Sequence, residues 1–301
     1  MSPFTFHFDA HAQPSSAVNT HVQVPMQAAR PLPGSAVPEE GLYCEAGVEE
    51  VWPLLPGESM RVYLSDPIHG QEQIAAASQA LYQRILDEVP VASIYRIWNF
   101  LPDINGGTVG LDHYMRFCQG RADAYTQAGH ATDLFAAASA LGYRTRAGRL
   151  QGEQIIAVVL SGGESVVPVE NPNQIPAYQY PQTYGPRSPS FARAATIGDS
   201  RVLVSGTASI LKSESQHVGD PVAQTRLAAD NVRTLLSLVA AEKLGHVHQH
   251  LRVYLRDFGH WPQVQGVLAQ SFSFEQVQLV VAQADICRPE LLIELEYASH
   301  R

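Results

Sequence analysis

Apolar and polar positions recur with two different periods along this 301-residue chain. A period near 3.6 marks an amphipathic helix, and strict alternation or a short apolar run marks a strand. Residues 71–89 show the helical period, with Ile74, Ala77, Leu81, Ile85 and Val89 on one stripe. Helices are likewise predicted over 111–128, after the Gly106-Gly107 loop, and over 131–141, with Gly142 as C-cap. Two more are predicted over 222–244 and 261–272. Strand patterns occupy 60–64, 93–100, 144–150, 154–161, 165–171, 246–255, 277–284 and 291–297. Segments 193–197 and 201–205 flank Gly198-Asp199 as the arms of a hairpin.

Proline divides these elements. Residues 1–40 are rich in Pro, Ser, Ala and Gln and carry Pro31, Pro33, Gly34 and Pro38, so they read as an extended leader with one short strand. Residues 172–189 hold five prolines and three tyrosines, the composition of a fixed, well-packed loop. The order of elements implies an α+β fold in two sheet-plus-helix halves, residues 41–192 and 193–301.

Composition narrows the class. Apolar residues make up 45% and charged residues 16%, enough to bury a sizeable core. A net charge of −9 argues against nucleic acid as a partner. Lys occurs only at Lys212 and Lys243, so 18 of the 20 cationic residues are Arg. A GC-rich genome accounts for that ratio, although Arg forks also suit carboxylates. Cys44, Cys118 and Cys287 are dispersed, which fits a reducing compartment and neither disulfides nor structural zinc. No apolar run reaches the roughly 18 residues of a membrane span, and no secretory signal is visible, so the cytoplasm is expected. There is no P-loop, GxGxxG after a strand, GxSxG or HExxH.

Several residues could carry chemistry. Alternation in Leu291–Tyr297 puts Glu294 and Glu296 on one face, where two partly buried carboxylates raise each other's pKa and one can serve as a general acid. The plain alternative is the solvated face of an edge strand. Tyr178, Tyr180, Tyr184, Arg187 and Arg193, on and beside the Pro-stiffened loop, suit a carboxylate ligand, or are ordinary loop residues. Arg121 offers another carboxylate contact, or is a surface arginine. Cys287 reads as a neutral pocket wall rather than a nucleophile. His246, His248 and His250 alternate and could bind a divalent metal, but a solvated face is simpler. His7, Asp9 and His11 alternate too near a loose terminus for a metal site.

The C-terminal third resembles the reactive-intermediate deaminase (Rid/YjgF) superfamily, with its chorismate mutase-like sheet and helices on one face. The resemblance rests on residues 204–210, the HVGD of 217–220, Gln224, Asn231, residues 253–257 and the IELE strand. Residues 95–105, 114–121, 180–193 and 287–294 together resemble a narrower family, the chorismatases. That resemblance implies cleavage of chorismate to pyruvate and a ring acid, without metal or other cofactor.

In it Glu294 is the acid that protonates the enolpyruvyl methylene, giving an oxocarbenium ion captured by oxygen. Arg121, Tyr180 and Arg193 hold the carboxylates, with Tyr184 and Arg187 shaping the loop. Gly206 and Ala208 line the pocket. Cys287 implies the branch that forms 3-hydroxybenzoate, some members of which also release 4-hydroxybenzoate. In that branch the capturing oxygen is the ring's own hydroxyl.

The alternatives are hydrolysis to the dihydroxycyclohexadiene carboxylate, an imine or enamine hydrolase of the Rid superfamily, and a non-catalytic binding protein. Rid enzymes hold a carboxylate with an Arg where this chain has Ile286 or Cys287, with Arg288 out of register. The expected assembly is a monomer or a trimer.

Overall fold

A computed structural model of the chain describes residues 4–8, 21–29, 48–108, 110–130, 135–145, 150–239 and 248–301. In chain order the N-terminal strands are β1 (Phe4–Phe8), β2 (His21–Val24), β3 (Ala28–Ala29), β4 (Val48–Trp52) and β5 (Ser59–Leu64). Helix α1 (Ile74–Glu88) leads to β6 (Ile94–Pro102), the short β7 (Gly107–Thr108) and β8 (Leu111–Asp112), and helix α2 (His113–Gln127). Then come β9 (Ala137–Tyr143), β10 (Ile156–Ser161), β11 (Val166–Val169), β12 (Ala194–Ile197) and β13 (Arg201–Ala208). A small hairpin, β14 (Ile210–Leu211) and β15 (Glu214–Ser215), precedes α3 (Pro221–Leu238). The chain ends with β16 (His248–Leu255), α4 (Trp261–Ser271), β17 (Val277–Gln283), β18 (Asp285–Ile286) and β19 (Ile293–His300).

Three sheets enclose one core. A five-stranded sheet runs β18-β9-β6-β10-β5, a seven-stranded sheet runs β11-β12-β13-β19-β16-β17-β3, and a three-stranded sheet runs β2-β1-β4. Phe6, Phe8 and Trp52 from the small sheet, Trp98, Phe100 and Leu141 from the second, and Leu203, Tyr254 and Val280 from the largest meet in that core. α1 and α2 cover the outer face of the five-stranded sheet, and α3 and α4 that of the seven-stranded sheet. Apolar residues on both faces of the central strands explain why all nine residues of β6 are buried.

Local chemistry sets the helix ends and crossings. Asp112 caps α2 by accepting from the Met115 N–H at 2.7 Å, and Asp220 caps α3 by accepting from Ala223 at 2.9 Å. α1 buries Ile74, Ala77, Leu81 and Ile85 as the stripe predicts. α2 crosses α1 so closely that a Cβ at Gly120 would strike the Ala75 carbonyl oxygen and come within 2.8 Å of the Gln79 nitrogen. That close approach brings the neighbouring Arg121 inside.

Residues 137–143 form a strand where the pattern predicts a helix. The run is buried on both faces and pairs in parallel with β6, so tertiary pairing overrides alanine's helix propensity. Gly142 is not a cap there; a Cβ would collide with Ile104 and lie 3.0 Å from Asp285 Cβ. The leader also differs from expectation. It supplies three strands, and Phe6 and Phe8 are buried in the central core because β1 pairs with β2 and β4. β3 extends the seven-stranded sheet and β18 the five-stranded one, so pairings cross the boundaries at 40 and 192.

The strand carrying Glu294 and Glu296 is not an edge: β19 lies between β13 and β16. Asp9, His11, Cys44, His246, most of the strand predicted over 144–150 and the last turn of the helix predicted over 222–244 lie outside the described residues. His248 and His250 stack on His300 with ring centroids 4.9 and 5.7 Å apart. Among the described residues no helix is long and apolar enough to cross a membrane.

Candidate active site

The two large sheets touch where β9 meets β13. The Ser205 hydroxyl donates to the Ala192 carbonyl at 2.6 Å and accepts from the Ala138 N–H at 2.9 Å. Next to this seam the β13–β19 register shifts between Val204↔Tyr297 and Thr207↔Leu295. Two residues of β13, Ser205 and Gly206, thus stand opposite one residue of β19, a bulge of the kind that re-aims side chains. The bulge opens room for Glu294, whose register partner is Ala208. A Cβ on Gly206 would fall on Glu294 Oε1, so any other residue there would displace the carboxyl.

Glu294 forms the floor of a 190 Å³ cavity that also meets Tyr180, Tyr184, Arg193, Gly206, Ala208 and Cys287. A 30 Å³ extension shares Glu294, Gly206 and Cys287 and reaches Arg121 and Ser139. Glu294 is 4% exposed, and its Oε1 has no hydrogen-bond partner among the described residues. Burial, reinforced by the negative Glu296, pushes its pKa up to about 8, against the opposing pull of Arg96 and Arg193. It therefore carries a proton at neutral pH.

The sequence expectation that the two glutamates raise each other holds in one direction only. Burial favours a neutral Glu296, but Arg96 and Arg252 outweigh it and hold that carboxyl below the usual range. Pairs of carboxylates pushed apart in this way divide the roles of acid and fixed anion.

Arg121 is not a surface residue. It is 1% exposed, with its guanidinium 4.8 Å from the Phe117 ring centroid and 5.9 Å from that of Tyr82. Its Nε has no hydrogen-bond partner, and no carboxylate pairs with it among the described residues. Arg193 is 4% exposed, and its guanidinium donates to the Tyr180 hydroxyl at 2.6 Å and the Ile175 carbonyl at 3.1 Å, while its backbone N–H faces the Glu170 carboxyl. Neither guanidinium has a carboxylate within salt-bridge distance among the described residues, although Glu170 is near enough to feel the charge of Arg193. Two buried cations without an ion pair suit a dianion, because a buried charge needs a counter-charge.

Cys287 faces both parts of the cavity, and burial followed by the nearby Glu294 pushes its thiol pKa up. A neutral thiol is a wall, not a nucleophile. Tyr184 is held by the Arg288 guanidinium, 3.8 Å over its ring. Arg187 is not brought to the cavity. It bonds Thr126 Oγ1 at 2.7 Å and lies 3.6 Å from Asp123, both on the far part of α2, because the loop turns away at Gly185 (φ 122°).

The cavity also holds residues given no site role from the sequence: Tyr114, Asp112, Phe191, Ser139, Arg288 and Glu290. Arg288 was visible only as a misaligned neighbour of Cys287; it is anchored by the Ser213 carbonyl at 2.9 Å and Ser215 Oγ at 3.1 Å. Ser139 lay in a segment whose alanines conceal that it is a strand.

A neutral carboxyl in a cavity that two buried guanidiniums also line can protonate a substrate that carries two carboxylates. Comparison with known proteins places the chain in a family. Residues 59–155 match the family model described as chorismatase FkbO/Hyg5-like, N-terminal. A 3-hydroxybenzoate synthase of Streptomyces hygroscopicus is 37% identical over 243 residues, covering 75% of this chain and 68% of that protein. The 3-aminoacrylate deaminase RutC of Acinetobacter baylyi is 30% identical over 107 residues, 35% of this chain and 83% of its own. A crystal structure of a chorismatase superposes with a TM-score of 0.76 at 25% identity, covering 99% of this chain and 93% of that one. With likeness of this extent in both sequence and fold, the chain belongs to the chorismatase family.

Proposed function

We propose that this protein converts chorismate to pyruvate and 3-hydroxybenzoate, with Glu294 as the proton donor. The observation that carries the reading is a neutral, buried Glu294 in a cavity with two buried arginines that form no ion pair among the described residues. Chorismate supplies two carboxylates. Arg193, with Tyr180 fixed against it at 2.6 Å, takes one, and Arg121 at the narrow end takes the other. Gly206 and Ala208 form the wall of β13 beside the reacting atoms.

The Glu294 proton passes to the enolpyruvyl methylene carbon, which becomes a methyl group. The neighbouring carbon becomes an oxocarbenium ion, and the Glu294 carboxylate left behind stabilises it. The ring hydroxyl oxygen captures that carbon and loses its proton, giving a cyclic ketal. The bond between the hydroxyl-bearing ring carbon and the capturing oxygen then breaks, and the ketal carbon releases the ether oxygen. That oxygen stays on its ring carbon as the phenol, and the same ring carbon loses its hydrogen as a proton as the ring aromatises. Pyruvate leaves with the capturing oxygen, so no water, oxidant or cofactor is consumed overall. The neutral Cys287 thiol fills the cavity wall where an aliphatic residue marks the hydrolysing branch.

The assembly we propose is a monomer or a trimer. The net charge of −9 argues against nucleic acid as a partner, and we place the protein in the cytoplasm. Incubation with chorismate, no metal or nucleotide added, followed by separation of the products, tests the reading. Pyruvate with 3-hydroxybenzoate is expected. The dihydroxycyclohexadiene acid in its place would move the chain to the hydrolysing branch, and unchanged chorismate would overturn the assignment.

A further inference from the structure

Four buried charges lie behind the cavity floor. Glu296 Oε2 accepts from Trp98 Nε1 at 3.0 Å, and lies 3.2 Å from Arg96 Nη2 and 3.5 Å from Arg252 Nη1. Arg252 Nε donates to Glu50 Oε2 at 2.6 Å. Arg96 is anchored further by the Val204 carbonyl at 2.6 Å and Ser139 Oγ at 2.8 Å. None of the four side chains is more than 4% exposed. The Phe6 ring lies 4.1 Å from the Arg252 guanidinium and the Trp98 ring 5.3 Å, which keeps water out.

The charge count matters. Two carboxylates and two guanidiniums neutralise each other, so this cluster is complete without Glu294. Glu294 sits two residues from Glu296 on the same face of β19, about 7 Å along the strand. Ionisation of Glu294 would add an unbalanced negative charge beside a fixed one in a dry interior.

We propose that Glu296 is a positioning residue for the proton transfer: its negative charge, locked by Arg96 and Arg252, keeps the proton on Glu294 until substrate takes it. The inference rests on the reading of Glu294 as proton donor. It also gives the N-terminal segment a part in catalysis. Glu50 on β4 balances Arg252, and without it Arg252 would leave the cluster with a net positive charge.

Other groups face Glu294 from each neighbouring element. They are Arg96 on β6, Ser139 on β9, Arg193 ahead of β12, Tyr254 on β16, Asp112, Tyr114 and Arg121 at and on α2, and Cys287, Arg288 and Glu290 ahead of β19. The cations among them oppose the effect of Glu296. Arg121 and Arg193 are matched by substrate carboxylates in the Michaelis complex, which leaves Arg96, itself paired with Glu296 at 3.2 Å, as the cation that opposes Glu296.

The test is the pH profile of kcat for wild type and Glu296→Gln, which removes the charge and keeps the shape. The alkaline limb is expected to move down by about one to two pH units, the scale of one charge at this separation in a protein interior. An unmoved limb, with kcat lowered equally at every pH, would reduce Glu296 to a structural role and overturn the proposal. Carbon-13 carboxyl NMR of glutamate-labelled wild-type protein, assigned with Glu294→Gln, decides the matter if Glu296→Gln does not fold. Glu294 neutral and Glu296 ionised at pH 7 is expected; both ionised, or the reverse, overturns it. That titration needs no turnover, so it reads the proton's location even where the chorismate assay fails.

Discussion

Replacing Glu294 by Gln should stabilise the protein at neutral pH while removing its activity. The side chain is buried, and its pKa rises from an ordinary 4.5 to about 8. Between those values the folded state binds more protons than the unfolded state, so wild-type stability falls as pH rises. The sign is that of a raised pKa: stability is fullest below the unfolded value near 4.5 and is lost as pH climbs toward 8. At pH 7 the loss covers about 2.5 pH units, or about 3 kcal/mol at 1.36 kcal/mol per unit. Gln has the same shape and cannot ionise, and Glu294 Oε1 makes no hydrogen bond that the substitution would break.

Urea unfolding at pH 4 and pH 7 measures the effect. Glu294→Gln is expected to match wild type within about 1 kcal/mol at pH 4 and to exceed it by about 3 kcal/mol at pH 7. Turnover of chorismate should fall by about 10²–10⁴-fold. Equal pH dependence of stability in the two proteins would mean that Glu294 ionises normally, and the proton-donor argument would fail with it.

Gly206→Ala should abolish turnover and destabilise the fold by about 1–3 kcal/mol, because the new methyl lands on the Glu294 carboxyl; steady-state kinetics and thermal melting check both. Arg193→Gln and Arg121→Gln should each raise KM about ten- to hundredfold, the worth of one charge-assisted contact, with product-inhibition constants moving in parallel. An unchanged KM in either variant would remove that arginine from the carboxylate site. Arg187→Ala should change kcat/KM less than about threefold, since its partners are Thr126 and Asp123 rather than the cavity; a tenfold loss would return it there.

Much of this site was legible in the sequence. Alternation in Leu291–Tyr297 put both glutamates on one face, and family-like segments singled out Arg121, Tyr180, Arg193, Gly206, Ala208 and Cys287, all of which face the Glu294 cavity. Other parts were not legible. The residues of β9 read as a helix because alanine and leucine suit either state, and only pairing with β6 decides between them. Arg187 looked like its neighbour Arg193, yet one turn at Gly185 sends it to the other side of the loop.

The sequence by itself determined the periods of most helices and strands, the shared face of Glu294 and Glu296, and the family. Those are local properties: spacing along one element settles which side chains point together. Tertiary structure decided which of the two glutamates is neutral. That choice depends on Arg96 from β6, Arg252 from β16 and Glu50 from β4, gathered around one side chain from distant parts of the chain. A carboxyl's proton is set by burial and by charges within a few ångströms, and neither is encoded at any single position.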